Sequence, residues 1–112
     1  MAVNAAFTPT GNTFVINVTA SVSPATQVVT NGAQSNQYRL INASSSNGVF
    51  ISYSQNSATA TNNCVVPTNT ASTTTMFLLP NTDEIITFSP NAYFAAIGVG
   101  TGTMYIIPGD GM

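Results

Sequence analysis

Residues 13–20 of this chain alternate strictly, with Phe14, Ile16 and Val18 on one side and Val15, Asn17 and Thr19 on the other. A two-residue period puts successive side chains on opposite faces of an extended backbone, so the run predicts a half-buried strand. The same period returns at Gln37–Asn42, where Tyr38 and Leu40 oppose Arg39 and Ile41. It returns again at Val49–Ser54, where Val49, Ile51 and Tyr53 fall together. Shorter runs at 27–30, 74–79, 84–88, 93–99 and 103–107 extend the series, and 64–66 adds a brief candidate. Thr, Asn, Ser, Gly and Val form helices poorly, and no window carries a sustained apolar stripe at helical spacing.

Turn-forming stretches separate these runs. Pro80-Asn-Thr-Asp lies between two of them, and Gly100-Thr-Gly predicts a tight hairpin joining 93–99 to 103–107. Residues 42–48 (NASSSNG) read as a loop, 55–63 (QNSATATNN) as the longest exposed loop, and the Thr-rich 68–75 as a connection or edge strand. About seven to nine short strands punctuated in this way predict an all-β, single-domain antiparallel β-sandwich, jelly-roll or immunoglobulin-like. The missing Cys…Trp…Cys framework counts against the second topology. Residues 1–112 form one domain in this reading, with 1–8 as an N-terminal arm and 108–112 as a short C-terminal tail.

Charge excludes whole classes of function. Arg39, Asp83, Glu84 and Asp110 are the only charged residues, and Lys, His and Trp are absent. A single cation cannot neutralise a run of phosphates, so no nucleic-acid partner is expected. Without histidine there is no Ser-His or Cys-His pair and no imidazole ligand, so neither an enzyme nor a cofactor is expected. Thr (17), Asn (13), Ser (11) and Gln (4) supply the polarity instead. The longest apolar stretch, 92–99, is broken by Gly98 and falls far short of the ~20 residues of a membrane helix. The first residues carry no basic or long apolar region of a secretory signal, so synthesis in a cytoplasm and no membrane partner are expected.

Few residues invite a specific chemistry. Cys64 is the only cysteine, and a thiol without nearby cations reads as a core or strand-end residue. Asp83 and Glu84 are adjacent, so on a strand they point to opposite faces and make no catalytic pair. The Asp-x-Asp spacing of calcium loops is missing, and no metal is expected. Gly98-Val-Gly-Thr-Gly lacks the lysine of a phosphate loop. Arg39 lies within an apolar strand, where a guanidinium seeks a carboxylate: Asp83, Glu84, Asp110 or an acid of a neighbouring subunit. The ten aromatics read mainly as core, with one or two tyrosines free to anchor an interface or a sugar. The interface candidates are Phe7, Pro9, Tyr38, Arg39, Asn56, Thr59, Asp110 and Met112.

Four segments carry a resemblance: Phe7-Thr-Pro-Thr-Gly, Gln37-Tyr-Arg-Leu-Ile-Asn, Ile86-Thr-Phe-Ser-Pro-Asn-Ala-Tyr-Phe94 and Tyr105-Ile-Ile-Pro-Gly-Asp-Gly111. In this order, over nearly the full length, the chain resembles a group of small tailed-phage and prophage virion structural proteins. The resemblance implies a non-enzymatic virion component and carries no catalytic residue. A neutral, amide- and hydroxyl-rich β-domain suits wet, salt-tolerant interfaces, which points the same way. The expected role is a capsid decoration (cement) protein on the virion surface. Its partner would be the major capsid protein, and it would self-associate as a homo-oligomer such as a trimer. The alternatives are a neck or tail adaptor and a fibre-type, glycan-binding receptor module.

Overall fold

The computed structural model describes residues 8–9, 11–29 and 36–110. They form nine strands and one helix: β1 (Thr8–Pro9), β2 (Phe14–Val18), β3 (Thr26–Gln27), β4 (Gln37–Asn42), β5 (Val49–Ser54), α1 (Ser57–Asn63), β6 (Met76–Leu78), β7 (Thr82–Thr87), β8 (Tyr93–Gly98) and β9 (Gly102–Asp110). One sheet has the order β1-β9-β4-β7, with β2 beside β1 along the same edge of β9; the other has the order β3-β8-β5-β6. Every pairing is antiparallel. The all-β sandwich read from alternation is therefore the fold.

The pairings also give the topology. β2 pairs with β9, β3 with β8, β4 with β7 and β5 with β6. The chain is thus one long two-stranded ribbon doubled back between β5 and β6. Rolling that ribbon brings β9 against β4 and β8 against β5, which closes the two sheets. This is a jelly roll rather than an immunoglobulin-like sandwich.

Several local expectations are corrected. Gly100-Thr-Gly does not close a hairpin: β8 and β9 lie in different sheets, so these residues arch from one layer to the other. The sheets come close here, and a Cβ on Gly98 would stand 2.9 Å from Val18 Cγ1. The 55–63 stretch is not all loop, because 57–63 is helix α1. Asn56 caps it, its side chain accepting from the Ala58 and Thr59 amides at 2.9 and 3.2 Å. Residues 64–66 form no strand, and 68–75 hold only an isolated bridge, Thr68 to Ala71, before β6 begins. The tail reading of 108–112 fails over 108–110, because β9 runs through Asp110 and pairs there with Thr8 and Pro9 of β1. Thr8 therefore belongs to the sheet and not to an arm. Residues 1–7, 111 and 112 lie outside the described residues.

The core lies between the sheets. Ile16, Val18, Val28, Tyr38, Leu40, Val49, Ile51, Leu78, Phe94, Met104 and Ile106 are all buried there, and Phe14, Tyr53, Met76, Ile86 and Phe88 pack around them. Tyr38 meets Phe94 edge-on, ring centroids 5.0 Å apart. A second, smaller cluster lies on the outside of the β3-β8-β5-β6 sheet, where Ala60 of α1 and Cys64 cover Ala95, with Tyr93 and Ile97 beside them.

Burial sets the alkaline limit of this fold. It pushes the Cys64 thiol from 9.0 up to about 11, partly offset by a hydrogen bond with the Ser52 backbone. It also raises the Tyr38 phenol above 10.0, partly offset by the Ala92 backbone. Both groups are neutral when protonated, so the native state keeps its protons after the unfolded chain has released them. The Cys64 contribution is complete below pH 9.0 and is lost as pH rises towards about 11, and that of Tyr38 is lost only above 10.0. Without histidine, the urea midpoint should be flat between about pH 6 and 8 and fall above pH 9, by up to ~2 kcal/mol from Cys64. Cys64→Ala should remove most of the decline between pH 9 and 10.

Candidate interaction surface

The register of the β1-β9-β4-β7 sheet places an apolar band on its outer face. Val15, Tyr105 and Ile41 stand in one row across β2, β9 and β4, and Asp83 of β7 completes it. The next row runs Ile107, Arg39 and Ile85. None of these five apolar residues belongs to either core cluster. Val15 and Ile85 remain 52% and 41% exposed, and Ile41, Tyr105 and Ile107 are half-buried. A sheet face turned to water normally carries polar side chains. On the opposite sheet α1 covers Ala95, with Tyr93 and Ile97 beside it, and leaves Phe77 exposed, whereas no described element covers this one.

A single ion pair crosses the band. Asp83 Oδ2 accepts from both Arg39 Nε and Nη2, each at 2.8 Å. The expectation that Arg39 is paired is met within the fold, by Asp83. With the two side chains 44% and 45% exposed, the pair contributes no more than ~1 kcal/mol. Its effect is to cancel the only positive charge, which leaves a nearly neutral face. Asp83 and Glu84 do point to opposite sides of β7, opposite Ile41 and Leu40 respectively.

The other interface candidates are scattered. Pro9 is exposed in β1, and Asn56 and Thr59 are exposed at the start of α1. Asp110 ends β9, while Phe7 and Met112 lie outside the described residues. Tyr38 is corrected: it is fully buried, its hydroxyl donating to the Ser89 carbonyl at 2.6 Å and accepting from the Ala92 amide at 3.1 Å. It faces the core because its neighbours of the same parity, Leu40 and Asn42, do. Among the described residues the exposed aromatic ring is instead Phe77, tilted against Phe50 with ring centroids 4.6 Å apart and lying over Gly48, where any Cβ would strike the ring. No group of three or more metal-ligating side chains comes together among the described residues.

The apolar band was missed from sequence, yet it left a signal. FVINV, QYRLIN and YIIP are apolar at both parities, which a strand wet on one side has no reason to be. The chain matches no family model, no curated protein and no solved structure.

Proposed function

We propose that this jelly roll is a non-enzymatic virion structural protein, a phage capsid decoration protein that binds the major capsid shell in many copies as a homo-oligomer. The observation that carries the reading is the uncovered band of Val15, Ile41, Ile85, Tyr105 and Ile107 around a self-cancelled ion pair. Contiguous exposed apolar surface on a soluble domain marks a protein–protein contact. A face with no net charge binds with little dependence on salt, as a shell component must when ionic conditions change.

Copy number tests the reading. In virions of the phage or prophage that encodes the chain, the band of this protein should stand at a stoichiometry of hundreds per particle against the major capsid protein. Ile41→Asp and Ile107→Asp in the band should each weaken binding to the shell at least about fivefold, given ~1–3 kcal/mol per apolar anchor lost. About a dozen copies per virion would overturn decoration in favour of a neck or tail adaptor. Retention on immobilised host-surface glycan, with none on the shell, would favour the fibre-type module.

A further inference from the structure

The two lateral edges of the β1-β9-β4-β7 sheet are chemically unlike. Among the described residues, β7 at one edge pairs only with β4 and carries Asp83 and Glu84. At the other edge β2 pairs, among the described residues, only with β9, and its five residues, FVINV, bear no charge. An open strand edge is a template for pairing, and charge is the usual means of blocking it. β7 has that protection and β2 does not. Two β7 edges brought together would bring two Glu84 carboxylates towards each other, because the chain's one guanidinium is already taken by Asp83. A β2-to-β7 contact would be head-to-tail, giving a ring or an open fibre, and would carry the charged β7 edge into the pairing. Two β2 edges meet with no charge opposed and close after one contact.

We infer that β2 is a self-association edge: a second copy of this chain pairs its own β2 antiparallel to the first about a two-fold axis near Ile16, the middle residue of Phe14–Val18. The two sheets become one continuous sheet running from one β7 to the other. Val15 of one copy then faces Asn17 of its partner, so the half-exposed valine at the end of the apolar band is covered. The band itself stays open on the outer face of the doubled sheet. The inference takes from the proposed function only that copies meet one another, and the shell plays no part in its test.

The experiment is sedimentation equilibrium of the purified chain over a concentration series. The expected mass is twice 11.6 kDa. Asn17→Lys places a charge on the exposed side of the edge strand and should return the mass to that of one chain with an unchanged circular dichroism spectrum. Thr87→Lys, on the β7 edge, should leave the dimer intact. In a Cys64→Ser background, mixing Val15→Cys with Asn17→Cys should yield a mixed disulfide. Directly opposed residues on antiparallel strands have Cα atoms about 4.5–5.5 Å apart, within disulfide reach. A monomer at every concentration, a trimer, or a dimer that Asn17→Lys leaves intact would overturn the inference. A monomer that still decorates capsids in hundreds of copies would sink this edge and leave the proposed function standing.

Discussion

Replacing Asn42 by aspartate is expected to cost more stability than any other single-atom exchange in this molecule, about 3–5 kcal/mol. Asn42 is 2% exposed at the end of β4. Its Nδ2 donates to the carbonyls of Asn47, Leu78 and Leu79 at 3.0, 3.2 and 3.2 Å, and its Oδ1 accepts from the Ser44 amide at 3.1 Å. One side chain thus ties a strand of one sheet to the end of β6 in the other, and to the arch between β4 and β5. Asn42→Asp keeps the shape but turns the donor into a carboxylate oxygen facing three carbonyls. Urea unfolding near neutral pH should show the loss. Part of it should return on acidification, because a protonated carboxyl regains one donor. Asn42→Leu should lose ~2–3 kcal/mol with no such recovery. Equal stability of the Asp variant and the parent would show that the staple holds nothing.

Tyr38→Phe is expected to lower stability by about 1–3 kcal/mol while leaving the surface untouched. The ring stays in the core against Phe94, so no cavity opens. What disappears is the hydroxyl that joins the Ser89 carbonyl to the Ala92 amide across the turn before β8. Ala92 is buried, so its N–H would be left without a partner there. Tyr38→Ala would add a large cavity, at ~3–5 kcal/mol for an aromatic, and should leave little folded protein. The two variants separate a core role from a contact role. An interface residue would change association and spare the melting temperature, whereas Tyr38→Phe should do the reverse.

What could be read from the sequence was whatever depends on neighbours along the chain. Alternation in Phe14–Val18, Gln37–Asn42 and Val49–Ser54 reflects a strand with one face in the core, and those elements fold as such. What could not be read depends on which layer a segment joins. Gly100-Thr-Gly looks the same whether the chain turns back within a sheet or arches over the core. The difference is made by β4 and β5, which claim β9 and β8 from far along the chain. Helix α1 was invisible because its seven residues give no helical period, and only the capping Asn56 before Ala-rich sequence marked it. Tyr38 was misplaced because a hydroxyl suggests surface until its partners, Ser89 and Ala92, are known. Arg39 was legible because a lone guanidinium has very few carboxylates to choose from.

The rolled ribbon has a consequence for how the domain comes into being. β9 is the last of the described strands in chain order, yet it sits between β2 and β4 as the shared centre of its sheet. Until residues 102–110 leave the ribosome, β2 has no partner and β4 has only β7. Pairing β2 with β9 requires closing a long loop, a slow step compared with forming local hairpins. This sheet therefore cannot assemble until residues 102–110 have been made. The uncharged β2 edge waits unprotected through that interval, so translation at high density is when neighbouring chains are most exposed to one another.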